Sequence, residues 1–195
     1  MQLLLIAHPD DECMFFTPSI ASKKNWHLMC MSAPSKTRLN ELNQSCRQLG
    51  IKNVNFPSKL FTDGHAQSWD KDAIATQVRE YCESNGIETI YTFDEDGVSG
   101  HPNHCALNSA CKLLKRDFNI KILKTIPLPA KYLSVLAIPF VYFSCDADDE
   151  IILCNWGEWW SGIQAMMKHK SQLLWFRYLW LSFSVYTFCN VIGSM

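Results

Sequence analysis

Two short motifs in the sequence gather the side chains that could perform chemistry. The first is His8-Pro9-Asp10-Asp11, and the second is His101-Pro102-Asn103-His104. A catalytic zinc site uses three protein ligands with nitrogen or oxygen donors and leaves one position open for water. His8 and Asp11 from the first motif, together with His104 from the second, would supply such a set. The motifs therefore predict a metal site of two histidines and one carboxylate.

Two further titratable groups, Asp10 and His101, lie beside these candidate ligands in the sequence. Hydrolysis of an amide needs a water that loses its proton near neutral pH, a polarised carbonyl and an acid for the leaving amine. Asp10 is a candidate general base, and a protonated His101 could stabilise the oxyanion or protonate the leaving nitrogen. A cap at a helix start also explains adjacent aspartates. The joint occurrence of all these groups after predicted strands favours a hydrolytic metal site.

Alternating strands and helices are predicted to position the two motifs. Short apolar runs predict buried strands, and apolar residues at helical spacing predict helices. The predicted strands are 3–7, 27–32, 54–56, 88–93, 121–126 and 150–154, and the predicted helices are 10–20, 38–49, 70–84, 103–116 and 158–170. This order predicts a Rossmann-like α/β fold with a mostly parallel sheet and helices on both faces. Ligands bind such sheets at the carboxyl ends of the strands, and the motifs flank one crevice if the strand order reverses between them.

Length and composition restrict the class of protein. A chain of 195 residues suits one compact domain. Its formal net charge of -1 and pI near 6.6 provide no basic field for a phosphate backbone, so nucleic acid is not expected as a partner. The nine cysteines are odd in number and include no CxxC pair. They predict reduced, buried thiols in a reducing compartment.

The segment 173–195 is predicted to be an apolar, aromatic tail that follows a domain of residues 1–172. Arg177 is the single charged residue between Leu173 and Ile192. The segment is long enough to cross a bilayer, but serine, threonine and asparagine interrupt it, and tryptophan and tyrosine favour the membrane interface. Two interpretations stay open, a segment lying in the membrane interface and a buried core helix.

The two motifs and their neighbours resemble a known enzyme family. Ala7-His8-Pro9-Asp10-Asp11-Glu12 and Gly100-His101-Pro102-Asn103-His104 are similar to motifs of the LmbE-like, or PIG-L, family of zinc-dependent de-N-acetylases. The resemblance extends to Thr92-Phe93-Asp94 and, with the eukaryotic branch in particular, to the segment 171–177. It implies an LmbE-like fold. It also implies a set of residue roles, in which zinc is held by His8, Asp11 and His104, Asp10 is the base, and His101 faces the oxyanion.

The resemblance to the eukaryotic branch implies a function and a location. Members hydrolyse the N-acetyl group of N-acetylglucosaminyl-phosphatidylinositol, giving glucosaminyl-phosphatidylinositol and acetate in the second step of GPI-anchor biosynthesis. The expected partners are this lipid and the membrane of the endoplasmic reticulum, at its cytoplasmic face. Such members usually begin with a membrane anchor, which this sequence does not show, so membrane contact is expected to depend on the tail or on residues outside this sequence.

Two alternative functions stay open at this point. One is the deacetylation of a soluble N-acetylglucosamine conjugate with the same metal chemistry. The other is a non-catalytic partner subunit that retains the fold. A protein that only binds has no need for a base beside a metal, so the complete set of five motif residues argues against the second alternative.

Four other residues are weaker candidates for contacts with the substrate, namely Arg38, Asp63, Asp94 and His169. Arg38 and Glu41 match a family R-x-x-E pattern, in which Arg38 could reach a phosphate or hydroxyls, although a surface ion pair explains them equally well. Asp63-Gly64-His65 and Asp94 follow strands and could contact sugar hydroxyls or orient a catalytic histidine, or simply form turns. His169 resembles a family feature near the site, with a solvated helix end as its alternative.

Overall fold

The computed structural model describes residues 1–32, 35–57, 61–64 and 68–195, and His65 therefore lies outside the described residues. Strands and helices alternate along most of the chain. The strands are β1 (Gln2–Ile6), β2 (Trp26–Cys30), β3 (Asn53–Asn55), β4 (Thr89–Phe93), β5 (Asn119–Leu123), β6 (Glu150–Leu153) and β7 (Cys189–Ser194). The helices are α1 (Asp11–Phe15), α2 (Thr17–Ser22), α3 (Lys36–Gln48), α4 (Lys71–Asn85), α5 (Gly97–Gly100), α6 (Pro102–Cys111), α7 (Leu128–Lys131), α8 (Ile138–Ser144), α9 (Trp156–Met166) and α10 (Trp175–Phe183).

All seven strands form one sheet in the order β3-β2-β1-β4-β5-β7-β6. The first five strands are parallel to one another, while β7 pairs antiparallel with both β5 and β6. This confirms the prediction of a mostly parallel α/β sheet. The strand order reverses between the neighbours β1 and β4, so the loops that follow these two strands flank one crevice.

The inner strands are covered by helices, and the strand sequences reflect this burial in their consecutive apolar residues. Leu3, Leu4 and Leu5 in β1 are all 0% exposed, which a strand with only one buried face would not show. Helices α1, α2 and α3 pack with α9, while α4 packs with α6. All nine cysteines are free, as expected for reduced thiols.

The helix predicted from residue 10 to 20 is in fact two short helices that meet at Phe16. Pro18 explains the break, because it has no N–H to donate to the carbonyl of Met14 in a continuous helix. That carbonyl accepts instead from Nε1 of Trp180, at 3.2 Å. The break lets the chain turn directly after the first motif, and α1 is therefore only five residues long.

The segment predicted as a tail contains two different elements. Helix α10 is largely exposed, and Leu181 is its one buried residue. Strand β7, by contrast, lies inside the sheet between β5 and β6, with Val191 3% and Ile192 1% exposed. Residues 189–194 thus belong to the same sheet as strands β1 to β6. Within the described residues, no helix combines the length and hydropathy needed to cross a membrane.

Candidate metal centre and active site

The two motifs meet at the carboxyl ends of β1 and β4. His8 follows β1 directly, Asp11 begins α1, and His104 lies in the first turn of α6. They line a cavity of about 290 Å³ at the reversal of the strand order. Its wall is formed mainly by charged, imidazole and aromatic side chains, together with a methionine, a serine and a glutamine; the lining residues are His8, Asp10, Asp11, Met14, Phe15, Arg38, Asp63, Ser99, His101, His104, Gln172, Arg177 and Trp180.

Asp11 and His104 face each other in an arrangement suited to a shared cation. Asp11 is 3% exposed, and its Oδ2 accepts from the backbone N–H groups of Ala7 (3.1 Å) and His8 (2.8 Å). Its Oδ1 lies 3.3 Å from Nε2 of His104. Burial by itself would raise the pKa of Asp11, but His104 and His8 hold it below its ordinary value. The carboxylate is therefore anionic at neutral pH and offers Oδ1 as a ligand.

The ring of His104 is fixed in an orientation that leaves Nε2 available. Its Nδ1 lies 3.0 Å from the carbonyl oxygen of Gly97, and the ring stacks on Phe93 with centroids 3.9 Å apart. Nε2 is buried, and Oδ1 of Asp11 lies 3.3 Å away without the geometry of a hydrogen bond. With Nδ1 donating to Gly97, Nε2 faces the Asp11 carboxylate, and a positive charge between these two atoms, a proton or a metal ion, would be bound by both. These donors fit a divalent metal ion, and the Gly97 carbonyl is a typical outer partner for such a ligand.

His8 and His101 complete the group of imidazoles. Ligand atoms of His8, His101 and His104 all lie within 4.8 Å of one another. Nε2 of His8 lies 3.0 Å from Nδ2 of Asn103 and 3.1 Å from Oδ1 of Asp63. Burial would lower the pKa of His8, yet the hydrogen bond to Asp63 and the nearby carboxylates raise it above its ordinary value. The three motif histidines thus lie together, and the predicted ligand Asp11 contacts His104 at 3.3 Å and lies 3.7 Å from Nδ1 of His8.

Asp10 lies beside this group on an unusual backbone. Its φ of 125° and ψ of -21° fall in a region that residues with a Cβ rarely adopt, at a cost of about 1–3 kcal/mol. The carboxylate is 2% exposed, and its Oδ2 accepts from Nη2 of Arg177 at 2.7 Å. Burial raises the pKa of Asp10 to about 6 in spite of the Arg177 guanidinium. A carboxylate with such a pKa is suited to accept a proton near neutral pH.

Arg38 and Asp63 lie at the cavity wall, where the sequence predicted substrate contacts. Nη1 of Arg38 donates to Oδ2 of Asp63 at 3.2 Å, and Nη2 donates to the carbonyl of Pro9 at 2.7 Å. The hydrogen bond from His8 lowers the pKa of Asp63 to about 2. These contacts hold the guanidinium beside the first motif at the cavity wall.

Two other predicted substrate residues do not line this cavity. The carboxylate of Asp94 accepts from the backbone N–H (2.5 Å) and Oγ1 (2.7 Å) of Thr125, so it fixes the loop after β4. His169 is 0% exposed, and its Nε2 lies 2.7 Å from Oε1 of Glu12. Both side chains are instead engaged by other groups of the protein.

The sequence did not single out several residues that shape the site. Arg177 reaches Asp10 from α10, and the one charge in a long apolar run is a signal of a buried partner. Asn103 contacts His8 from the second motif. Gly97 has φ +55°, and a Cβ on it would lie 2.7 Å from Cβ of His104. Glycine at this position lets the backbone approach the histidine closely enough for its carbonyl to contact Nδ1.

Comparison with known proteins relates this arrangement to one family. The family model described as PIG-L, GlcNAc-PI de-N-acetylase, matches residues 3–114. The N-acetylglucosaminyl-phosphatidylinositol de-N-acetylase of Bos taurus is 38% identical, over 99% of this chain and 83% of its own. A probable N-acetylglucosaminyl-phosphatidylinositol de-N-acetylase of Schizosaccharomyces pombe is 34% identical, over 97% of this chain and 85% of its own.

A solved structure shares the fold at much lower identity. The zinc-inhibited form of teicoplanin deacetylase Orf2 superposes with a TM-score of 0.66 at 11% identity, covering 100% of this chain and 99% of its own. A likeness at this identity bears on the fold alone. The single mixed sheet and its covering helices are thus an arrangement known from a deacetylase.

Proposed function

The chain belongs to the PIG-L family of GlcNAc-PI de-N-acetylases, and from this premise we propose that it hydrolyses the N-acetyl group of N-acetylglucosaminyl-phosphatidylinositol. The products are glucosaminyl-phosphatidylinositol and acetate. The observation that carries the proposal is the facing pair of Asp11 Oδ1 and His104 Nε2 at 3.3 Å, buried next to Asp10 at the crevice. A metal cation between these two atoms would be bound by both, and a base lies beside them.

His8, Asp11 and His104 are the proposed metal ligands, and zinc is the proposed metal. A bound divalent ion would supply Lewis acidity toward the amide carbonyl and toward a water molecule. Two histidines and a carboxylate are a known catalytic zinc set.

Asp10 is proposed to accept a proton from the attacking water. The water oxygen forms a bond to the carbonyl carbon, the C–N bond breaks, and the amine nitrogen takes up a proton. His101 is proposed to face the carbonyl oxygen, where an imidazole N–H stabilises the developing negative charge or passes a proton to the leaving nitrogen. Arg177 keeps the Asp10 carboxylate oriented through its 2.7 Å contact.

Arg38 and Asp63 are proposed to bind the polar part of the substrate. The Arg38 guanidinium lines the cavity and matches the phosphate of a phosphatidylinositol headgroup in charge. The Asp63 carboxylate is an acceptor for sugar hydroxyls. Their mutual contact at 3.2 Å keeps both groups at the same side of the cavity.

An exposed apolar face beside the cavity supports a membrane role for the proposed lipid hydrolase. We define the apolar face by exposed side chains of two segments, 174–183 and 128–143. From the first segment these are Leu174, Trp175, Phe176, Tyr178, Leu179 and Phe183, and from the second they are Leu128, Tyr132, Leu133, Leu136, Phe140, Tyr142 and Phe143. Tyr132 contacts Trp180, a residue of the cavity wall, with ring centroids 5.8 Å apart.

The charges of the apolar face agree with a membrane surface as its partner. The segments 128–143 and 173–183 contain no carboxylate that would repel lipid phosphates. Their two cations, Lys131 and Arg177, bond to protein groups at Val98 and Asp10. Clustered exposed apolar side chains mark interaction sites, and tryptophan and tyrosine are typical of membrane interfaces. The proposed location is the cytoplasmic face of the endoplasmic reticulum membrane.

The test of the function is acetate release from two substrates by purified chain of known metal content. One substrate is N-acetylglucosaminyl-phosphatidylinositol in vesicles, and the other is its water-soluble analogue without acyl chains. We expect one divalent ion per chain and a higher kcat/KM for the lipid. Equal turnover of both substrates would instead support a deacetylase of soluble conjugates, and the absence of turnover with metal bound would support a non-catalytic subunit.

A further inference from the structure

Three buried side chains beneath the cavity hold the residue that carries the proposed base. The backbone N–H of Asp10 donates to Oε2 of Glu12 at 3.0 Å. Oε1 of Glu12 accepts from Oγ of Ser45 at 2.5 Å and lies 2.7 Å from Nε2 of His169. Glu12, Ser45 and His169 are all 0% exposed, and none of them lines the cavity.

The hydrogen bond to Glu12 is made by the backbone of Asp10, the residue with the strained conformation. Asp10 has φ 125°, and such a conformation persists only where surrounding groups fix it. The φ rotation of a residue carries its side chain with it, so the hydrogen bond to Glu12 fixes the peptide group from which the Asp10 carboxylate is placed, while Arg177 contacts the carboxylate itself. A catalytic group displaced by about 1 Å can lower a rate by roughly 10²-fold.

Stability alone does not explain a buried carboxylate and imidazole at this place. Apolar side chains of similar volume often replace a buried ion pair without loss of stability, so such a pair is weak evidence for a stabilising role. What Glu12 offers and an apolar residue does not is an acceptor for the N–H of Asp10. His169 and Ser45 both bond to the other oxygen of Glu12 and keep that acceptor in place.

We propose that Glu12, oriented by His169 and Ser45, is a positioning residue that holds Asp10 in its strained conformation with the carboxylate toward the reacting water. The inference rests on the proposed function, in which Asp10 is the base. It gives His169 a role behind the cavity wall in place of the substrate contact that the sequence suggested.

A matched pair of serine substitutions tests the proposal with little risk to folding. Ser45→Ala removes one of the two contacts that orient Glu12. Ser19→Ala is its control, because Ser19 is also 0% exposed and donates to a buried side chain, Oδ1 of Asn190, at 2.7 Å. We expect similar losses in melting temperature for both variants. Only Ser45→Ala should lower kcat for acetate release, with KM and bound metal unchanged.

Two substitutions at Glu12 itself distinguish the hydrogen bond from the charge. The double variant Glu12→Leu/His169→Leu removes the acceptor without leaving an unpaired buried charge, and we expect kcat to fall by about 10²-fold while KM and metal content hold. Glu12→Gln keeps a carbonyl for the N–H of Asp10 and an amide that can donate to Ser45 or to a neutral His169. It should retain most of the kcat of the unsubstituted chain.

The outcomes separate this inference from the function on which it rests. Equal kcat in Ser45→Ala and Ser19→Ala, or a Glu12→Gln variant as impaired as the double variant, would overturn the positioning role while leaving the proposed hydrolysis intact. No acetate release by the unsubstituted, metal-loaded chain would overturn the proposed function and the positioning role with it.

Discussion

At the scale of single residues, a substitution of Asp10 distinguishes the chemical step from the binding of substrate and metal. Asp10→Asn preserves the size of the side chain and its contact with Arg177 but removes the basic oxygen. General base catalysis contributes roughly 10²- to 10⁴-fold, so we expect kcat to fall by that factor. KM and metal content should stay near those of the unsubstituted chain, since His8, Asp11 and His104 are unchanged. Steady-state kinetics with metal analysis measure this, and undiminished turnover would remove Asp10 from the mechanism.

Removal of the metal tests the ligand set as a whole. Dialysis against a chelator should abolish acetate release, and one equivalent of zinc should restore it. Asp11→Asn should bind zinc weakly, because the anionic oxygen that faces His104 at 3.3 Å is lost. Comparison of zinc with manganese and iron identifies the most active ion, since two histidines and a carboxylate suit all three. Full activity in the chelated protein would contradict a metal mechanism.

The motif residues could be predicted from the sequence, whereas the residues that contact and orient them could not. The His-x-x-Asp and His-x-x-His motifs identify residues whose side chains can bind a metal or transfer a proton. Arg177 and His169 reach Asp10 and Glu12 across more than 150 positions of the chain. Such pairings depend on how helices pack, and no local spacing encodes them. For Asp94 the sequence leaves a substrate contact and a turn open, because a loop position does not reveal which way its carboxylate points.

At the scale of elements, the loop between β4 and α6 depends on a glycine. Gly97→Ala places a Cβ 2.7 Å from Cβ of His104 at a φ of +55°. We expect a loss of about 1–3 kcal/mol in the free energy of unfolding from overpacking. We also expect reduced metal content, because His104 has to move. Thermal unfolding and metal analysis measure the two effects.

Gly100→Ala is the matched control for this substitution. Gly100 has φ +71° in the same loop, but a Cβ there meets nothing within 4 Å. Backbone strain alone should then lower stability by about 1 kcal/mol, with metal content unchanged. If both variants lost metal equally, the close contact with His104 would not be the reason.

Helix α10 should attach the protein to lipid vesicles through its exposed side. Trp175 is 75% and Leu179 is 49% exposed. Burial of such side chains in a membrane contributes about 1.5–3 kcal/mol each, so Trp175→Glu/Leu179→Glu should lower vesicle partitioning by roughly tenfold or more. Flotation measures it. Leu113→Glu, at a residue 44% exposed outside the apolar face, should float like the unsubstituted chain, and equal flotation of all three would exclude α10 as the attachment site.

At the scale of the whole molecule, the sheet needs its last strand. Ending the chain after Phe188 removes β7 and separates β6 from β5. We expect the truncated chain to lose cooperative thermal unfolding. Val191 and Ile192 are removed from the core, and β5 and β6 lose the hydrogen bonds that each makes with β7. Ser194→Ala, an exposed substitution in the same strand, should stay within about 0.5 kcal/mol of the unsubstituted chain. A cooperative transition in the truncated chain would refute this role of β7.

The parallel half of the sheet was predictable and the antiparallel half was not. Regular alternation of apolar runs with helical spacing implies β1 to β5 and the crevice between β1 and β4. Beyond Pro127 the chain leaves this alternation, and β7 inserts between strands that precede it. The run from Leu173 to Ile192 is mostly apolar along its whole length, so neither its hydropathy nor its length distinguishes an exposed helix followed by a core strand from a single apolar segment.

The place of β7 in the sheet also has a consequence for the nascent chain. Strand β5 leaves the ribosome well before β7, and at about 5–20 residues per second the interval from Leu123 to Cys189 takes roughly 3–13 s. During this time β5 presents an unpaired edge, which is a template for association with other chains. Translation therefore passes through a stage at which the motif histidines are already made, while the sheet edge and the arginine that holds Asp10 are not.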